Sequence, residues 1–444
     1  MASSGTANPV RASYAYAKRM GPGWVAGAIA AGPATIASLV TAGALFDYSL
    51  LWVVVLSAVG GATAQYLAMR LGLLTGSGIV AVVEEQLSDR WAWILVADVV
   101  IAAGAAQLVI MNTVGSVFAT TTGVDARIWG VVWAGILALG LAGRGYRFIE
   151  FVAKLLVAGV VVAFVASLLV VPIDATAAVG GLTPTLPGGS ALVAAGILGG
   201  AVHITLITMH AYGMKARGWD ETDGDLAALD VLLSMVVAFG VYSVSIFLVA
   251  ASVLSDPELT AIGAAQALGP LVGANAELLF MIGLGGAALS TLGANTIVPP
   301  LLLADKLGWG TTVEDGRYRG LLVAAALLSA PGAFIGGEVL GQLVLVLALG
   351  TVGTPFAIVV VLYVLNSPAV SRPTPAVLNI AGLALLGVSG TLAVNFIREQ
   401  VAAGLAPLSG AVLTFGVVLA VATLLLLGKF LGEELRTGSE PELS

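Results

Sequence analysis

The chain has 444 residues and a net charge of −7, and 59% of its residues are hydrophobic while only 10% are charged. A soluble domain carries about 25% charged residues, so this composition, with a mean hydropathy of +1.04, excludes an ordinary soluble protein. The negative charge argues against nucleic acid as a partner, and the absence of cysteine excludes disulfides and thiolate metal sites.

Long stretches without any charged residue recur along the whole chain. A membrane-spanning helix needs about 20 consecutive apolar residues, and the bilayer core satisfies only a backbone that is helical or part of a closed barrel. The sequence therefore predicts an all-α, polytopic membrane protein with about 12 transmembrane helices. We place the spans at 20–46, 48–69, 99–124, 128–143, 155–173, 191–214, 231–255, 278–304, 320–337, 339–371, 373–397 and 401–428.

One transmembrane domain accounts for nearly all of the sequence. We predict that it covers residues 20–430, between a cytoplasmic N-terminal tail at 1–19 and a cytoplasmic C-terminal tail at 431–444. With the N-terminus inside, all Lys and Arg residues except Arg127 and Arg398 fall on the cytoplasmic side. This distribution follows the positive-inside rule and predicts a multi-pass protein of the cell membrane, embedded in the lipid bilayer.

Two of the spans contain features that interrupt helices or are rare in membranes. The first span has Pro33 near its middle, preceded by Gly32. Proline lacks a backbone donor and clashes with the preceding turn, so we expect the helix to break there. The sixth span has three glycines within 196–200, followed by the only two histidines of the chain, His203 and His210.

Interrupted helices at corresponding positions of two halves are typical of transporters built from inverted repeats, with the substrate site at the interruptions. We therefore predict a first repeat at about 20–175, a second at about 190–370 and two extra helices at about 373–430. The two histidines are seven residues apart, which puts both on roughly the same face of a continuous helix, as a proton relay would require.

Seven short segments, spread over nearly the whole chain, match one known family in order and spacing: GPGW at 21–24, AGALFDYSLLW at 42–52, RGYRFIEFVAK at 144–154, GGLTPTLPGGS at 180–190, GILGGAV at 196–202, GAALSTLGANT at 286–296 and TPFA at 354–357. They resemble the Nramp family of divalent metal transporters. The resemblance implies a LeuT-type fold with a 5+5 inverted repeat plus two extra helices, and a secondary transporter working by alternating access.

The two interruptions depart from the pattern of that family. The family has Asp-Pro-Gly-Asn in the first span, where this chain reads Gly-Pro-Ala-Thr at 32–35, and Met-Pro-His-Asn in the sixth, where it reads His-Ile-Thr-Leu at 203–206. A glutamine of the tenth span corresponds to Leu347. The resemblance and the interruptions together predict cargo contacts at Gly32, Pro33, Ala34, Thr35, Gly200, His203 and Thr205.

Proton movement is the other family property that the sequence puts in question. The three acidic positions of the family's third span correspond to Asp98, Ala105 and Leu108, so only the first keeps its charge, while a histidine of the sixth span is retained as His210. The resemblance implies H⁺ as a possible partner and a pathway through Asp98 and His210, with doubtful coupling. Asp98 could instead reach the membrane interface, and each histidine could be a structural, hydrogen-bonded residue.

The residues leave two classes of cargo open. Thr35 and His203 could bind a divalent metal ion, because imidazole suits zinc, copper, iron and nickel. A small neutral or anionic organic solute is the alternative, because half-helix N-termini favour anionic groups and the predicted site has no carboxylate. A transport-deficient homologue is a third possibility. No motif for a hydrolase, metalloprotease or phosphate-binding enzyme is present, so we predict neither enzymatic activity nor a cofactor.

Overall fold

The computed structural model describes residues 21–143, 158–159, 161–254, 260–368, 370–402, 404 and 407–437, and every regular element within these ranges is helical. Its α-helices, numbered in chain order, are α1 Pro22–Ala30, α2 Pro33–Phe46, α3 Leu51–Thr75, α4 Ile79–Gln86, α5 Asp89–Thr122, α6 Ala126–Ala142, α7 Ala175–Gly180, α8 Ala191–Val202, α9 Ile204–Arg217, α10 Gly224–Val231, α11 Gly240–Val253, α12 Ala261–Ala265, α13 Gly269–Val272, α14 Ala276–Lys306, α15 Gly316–Leu327, α16 Val339–Leu365, α17 Ala376–Ala402 and α18 Pro407–Thr437. Residues 161–167 are also helical. Short 3₁₀ turns lie at Glu221–Asp223, Gln266–Leu268, Gly273–Asn275 and Ala330–Phe334, and a π-helix at Leu232–Phe239 joins α10 to α11.

These helices follow the predicted membrane spans. Within the described ranges, eight helical stretches are long and apolar enough to cross a membrane, and two shorter apolar helices, α2 and α6, accompany them. The all-α, polytopic prediction is therefore confirmed. The N-terminal tail, the segment 144–154 and the end of the C-terminal tail lie outside the described residues, and the bounds of the domain and its repeats stay a prediction.

Helix α16 forms the centre of the bundle. Its 27 residues include no charged side chain, and a helix that is apolar all round is expected to be buried. It packs against α2, α3, α5, α8, α9, α17 and α18. Gly350 and Gly353 leave room on its surface, so side chains from neighbouring helices come close to its backbone there.

The first span is interrupted between α1 and α2, as predicted from Pro33. Gly32 is extended, with φ −73° and ψ 178°, and Pro33 is the first residue of α2. Proline is favoured at the first position of a helix, while the residue before it is driven away from helical angles. The sequence Gly32-Pro33 therefore ends one half-helix and begins the next.

The sixth span is interrupted at His203, although no proline is present there. His203 has φ −55° and ψ 138° and lies between the end of α8 and the start of α9. The packing of α8 against α16 supports this break, because Thr354 of α16 donates a hydrogen bond to the carbonyl of Val202 at 3.0 Å. A carbonyl at the end of a half-helix is thus satisfied by a side chain instead of by the next turn.

Candidate functional site

A small cavity lies between the two interruptions. Its volume is about 40 Å³. One water molecule needs about 10–15 Å³, so the cavity can hold a few waters or a partly hydrated ion. The lining comes from the two interrupted spans and from α5, α14 and α16: Ile29, Gly32, Pro33, Ala34, Thr35, Ala106, Ile110, Gly200, His203, Thr205, Leu206, Thr291, Asn295, Val346 and Leu347. We call this the central cavity. All seven predicted cargo residues lie around it.

The polar atoms of the first interruption are largely engaged with one another. Thr35 donates its hydroxyl hydrogen to the carbonyl of Ala30 at 2.5 Å, and Tyr242 of α11 donates to the carbonyl of Ala31 at 3.3 Å. Both carbonyls end α1 and would otherwise lack a partner. The Thr35 oxygen also lies against Gly200 of α8, 2.5 Å from the position that a Cβ would occupy. The carbonyls of Ala30 and Ala31, which the break releases, are therefore hydrogen-bonded to side chains.

The interruption of the sixth span, which we call the sixth interruption, carries a side chain with a ring nitrogen that makes no hydrogen bond to the described residues. His203 is buried, its Nδ1 lies 2.8 Å from the Thr205 hydroxyl, and the same nitrogen accepts the Thr205 backbone N–H at 3.3 Å. The imidazole thereby caps the start of α9. Its Nε2 is buried and has no hydrogen-bond partner among the described residues. The ring lies against Gly350, whose Cβ, if present, would come within 2.1 Å of Nε2.

Helix α14 contributes two polar side chains to the central cavity. Asn295 donates to the carbonyl of Ala103 in α5 at 2.7 Å and so links the two helices. The hydroxyl oxygen of Thr291 has no hydrogen-bond partner within the described ranges and lies 2.7 Å from the position that a Cβ on Gly32 would occupy. None of the lining residues is Asp, Glu, Lys or Arg, so the cavity is neutral.

Asp98 lies outside the central cavity but near one of its walls. The carboxylate is buried, and both of its oxygens lie 2.5 Å from the position of a Cβ on Gly353. Gly353 is one helical turn from Gly350, which contacts His203. The Oδ2 atom of Asp98 has no hydrogen-bond partner in the described part of the chain. Asp98 thus lies beside the same stretch of α16 as His203.

His210 lines a different and larger cavity. This second cavity has a volume of about 200 Å³ and is bounded by Pro22, Ala26, Ile29, Leu206, Met209, His210, Gly213, Ala216 and Arg217. Both ring nitrogens of His210 are buried and without a partner in the described ranges. Ile29 and Leu206 line both cavities, so these two apolar side chains form the partition between them. The two histidines face separate cavities, because the break at His203 ends the helix that would have aligned them.

Three hydrogen bonds tie the interrupted spans to their neighbours beside the second cavity. The buried carboxylate of Asp230 in α10 accepts the backbone N–H of Gly21 at 2.8 Å and that of Gly23 at 2.7 Å, at the start of α1. Tyr212 of α9 donates to Asp305 of α14 at 2.6 Å. Both half-helices that border the second cavity are therefore fastened at the end farther from the interruptions.

A comparison with known families identifies this arrangement. Residues 23–399 match the model of the family described as Nramp, natural resistance-associated macrophage protein-like. The chain belongs to the Nramp-like family. Among its relatives, the divalent metal cation transporter MntH of Mycobacterium tuberculosis is 29% identical over 365 residues, covering 79% of this chain and 84% of the relative. The MntH protein of Deinococcus radiodurans is 26% identical over 369 residues, covering 80% and 83%.

Solved structures agree on the fold of this Nramp-like chain. A manganese transporter of Eremococcus coleocola superposes with a TM-score of 0.70 at 17% identity, covering 94% of each chain. The nucleobase-cation-symport-1 transporter Mhp1 superposes with a TM-score of 0.55 at 16% identity, covering 96% of this chain and 94% of the other. The predicted LeuT-type fold is confirmed, and the protein is a multi-pass membrane protein of that architecture.

Several residues at the Nramp-like site were not singled out by sequence. Thr291 lies within the segment 286–296 that carries part of the resemblance, but nothing in the sequence distinguishes it from Thr296. Tyr242 comes to the site from a separate span. Ile29 and Leu206 belong to the interrupted spans, but their place between the two cavities depends on how those spans pack. Leu347, the counterpart of the family's glutamine, lines the central cavity.

Proposed function

We propose that this Nramp-like protein carries a divalent metal ion across the cell membrane by alternating access, with both termini in the cytoplasm. The observation that carries the proposal is the central cavity between two interrupted half-helix pairs, with the imidazole of His203 at its wall. Curated relatives named as divalent metal cation transporters support metal as the cargo. Gly32, Pro33, Ala34, Thr35, Gly200, His203 and Thr205 form the cargo site in this proposal.

The donor chemistry sets which metals we expect. His203 offers the only nitrogen in the lining that can coordinate a metal, and Thr35 offers oxygen lone pairs beside the hydrogen bond it donates. Imidazole suits zinc, cobalt and nickel, whereas magnesium and calcium prefer carboxylate oxygens, which the lining lacks. Coordination by Nε2 requires the proton on Nδ1, and the Thr205 hydroxyl at 2.8 Å can accept it.

A small neutral or anionic solute remains a second candidate because of one observation. The backbone N–H of Thr205 points at Nδ1, which favours a tautomer with the proton on Nε2. In that tautomer His203 donates a hydrogen bond to its cargo and cannot bind a metal. The neutral lining would accept such a solute without the cost of burying an unpaired charge.

Alternating access requires that the hydrogen bonds holding α1 and α9, at their ends farther from the interruptions, break and form again. The Asp230 contacts to the start of α1 and the Tyr212–Asp305 hydrogen bond hold the side of the second cavity in place. When these contacts break, α1 and α9 can separate, and the Ile29–Leu206 partition opens toward the cytoplasm. The second cavity is then the exit for the cargo.

Proton coupling through Asp98 and His210 is expected to be weak. Asp98 lies beside α16, whereas His210 lines the second cavity. The other two positions of α5 that are acidic in the family are Ala105 and Leu108 here, so they cannot carry a proton between these two residues. A divalent ion that moves without a compensating proton carries net charge. Transport should therefore respond strongly to membrane potential and little to a pH gradient.

Uptake by the purified protein in liposomes tests the proposal. We expect zinc, cobalt and nickel to enter faster than magnesium and calcium, to be driven by an inside-negative potential, and to cause little acidification. Magnesium as the preferred ion would replace imidazole coordination with a hydrated ion held by hydroxyls and carbonyls. Absence of uptake for all six ions, manganese included, together with thermal stabilisation by small organic anions, would favour the solute carrier instead.

A further inference from the structure

Thr291 differs from other threonines in the membrane helices of this protein. Helical threonines usually donate their hydroxyl hydrogen to the carbonyl four residues earlier, as Thr113, Thr208 and Thr296 do here at 2.6–3.0 Å. Thr296 is on the same helix, α14, and donates to Leu292 at 2.6 Å. The hydroxyl of Thr291 is buried and makes no such bond, which is rare for a buried polar group.

The Thr291 hydroxyl lies against the first interruption at the wall of the central cavity. It lies 2.7 Å from the position of a Cβ on Gly32, and the Thr291 methyl lies 3.4 Å from the same point. Gly32 has an ordinary extended conformation that any residue adopts, so its backbone does not require glycine. Glycine at this position instead leaves the space into which the Thr291 hydroxyl projects.

We infer that Thr291 is a cargo-binding residue whose hydroxyl oxygen coordinates the transported divalent ion, directly or through one of its waters. This inference rests on the proposed metal transport. The imidazole of His203 approaches the central cavity from the sixth span, and the Thr291 hydroxyl approaches it from α14 beside Gly32. A neutral oxygen is suited to an ion that keeps part of its water shell, because the cavity supplies no carboxylate to replace that shell.

Removing only the hydroxyl tests this role. Thr291→Val keeps the shape of the side chain, Thr291→Ser restores the hydroxyl, and Thr296→Val removes a hydroxyl that is already bonded within its own helix. We expect Thr291→Val to raise the KM for zinc uptake by about tenfold or more, with a smaller effect on the maximal rate. Thr291→Ser and Thr296→Val should stay within about twofold of the native protein.

A second pair of variants tests the shared space at Gly32. A Cβ at this position would push the hydroxyl out of the cavity, so Gly32→Ala should raise the KM as Thr291→Val does. Combined with Thr291→Ala, which has no γ atom at the position of the hydroxyl, Gly32→Ala should be no worse than either single variant, because both changes remove the same contact. Effects that multiply in the double variant would mean that the two positions act independently, and the assignment would be overturned.

The outcomes separate this inference from the proposed function. If His203→Ala abolishes zinc uptake while Thr291→Val leaves the KM unchanged, metal transport stands and Thr291 is not a ligand. If the native protein transports no divalent ion, both ideas fail together. A Thr291→Val protein that elutes as an aggregate is replaced by Thr291→Ala, and an unchanged KM in that variant overturns the assignment equally.

Discussion

The two interruptions of this bundle have the same shape but different chemistry. At the first, Pro33 breaks the helix, and the hydroxyls of Thr35 and Tyr242 satisfy the carbonyls that the break releases. At the sixth, no proline is present, and the break carries His203 with an unpaired ring nitrogen. The first interruption uses its polar atoms to hold itself together, whereas the sixth uses Nδ1 of His203 in that way and leaves Nε2 without a hydrogen bond among the described residues.

This difference indicates how a transporter scaffold can divide its tasks. Side chains that satisfy released carbonyls stabilise a broken helix in lipid, where water cannot do so. A buried polar atom without a hydrogen bond lowers the stability of the fold, and such an exception is expected at a functional site. We therefore expect changes at the first interruption to affect mainly stability, and changes at the sixth to affect mainly transport.

The largest effect should come from removing the imidazole. His203→Ala deletes the proposed nitrogen ligand, so we expect kcat/KM for zinc uptake to fall on the order of 100-fold. Because the imidazole also caps the start of α9, we expect a modest loss of stability of about 1 kcal/mol beside it. The chain provides a matched control in His210→Ala, which removes an equally buried imidazole from the second cavity. Equal losses in the two variants would contradict the assignment of the ligand to the sixth interruption.

A smaller effect should follow from moving the imidazole without removing it. In Gly350→Ala the new methyl would lie 2.1 Å from Nε2, so the ring must rotate away from α16. We expect transport to fall roughly tenfold, measured as initial zinc uptake. Gly341→Ala on the same helix is the control, because a Cβ there meets no atom within 4 Å. Unchanged transport in Gly350→Ala would show that the position of the ring does not matter.

The contrast between the interruptions also shows what sequence could and could not predict. Pro33 in an apolar run predicts a broken helix from local chemistry alone. The break at His203 lacks a proline and was predicted from its glycines and from family resemblance. The spacing of His203 and His210 suggested one shared face, but that argument assumes a continuous helix, and the break separates them.

Residues that reach the site through packing were beyond sequence reasoning. Thr291 and Thr296 are indistinguishable in the sequence, and only the structure shows that Thr291 lines the central cavity beside Gly32 and that Thr296 does not line it. The closeness of Asp98 to the stretch of α16 that contacts His203 depends on Gly350 and Gly353, which could equally be packing glycines. Tertiary contacts of this kind leave no periodic pattern along the chain.

The first interruption should respond in the opposite way to the sixth. Thr35→Val leaves the Ala30 carbonyl buried without its partner, which costs about 1–3 kcal/mol. We expect a lower melting temperature in detergent and a KM for zinc that rises by no more than about threefold. Thr35→Ser should restore the stability. A rise in KM as large as that of His203→Ala would make Thr35 a principal ligand and erase the contrast between the interruptions.

The smallest effect should lie at the far end of the first interrupted span, where Asp230 holds the start of α1. In Asp230→Asn an amide group replaces one acceptor oxygen and faces a backbone N–H, so one of the two contacts to Gly21 and Gly23 is lost. The second cavity should then open more often.

Because the chain has no cysteine, Met209→Cys can report access to that cavity, and we expect thiol reagents to modify it about threefold faster in the Asp230→Asn background. Leu186→Cys, which lies outside both cavities, should react at the same rate with or without Asp230. An unchanged rate at Met209→Cys would mean that apolar packing, and not the hydrogen bonds to Asp230, holds α1 in place. The first interrupted span would then resemble the sixth, whose break also depends on packing against neighbouring helices.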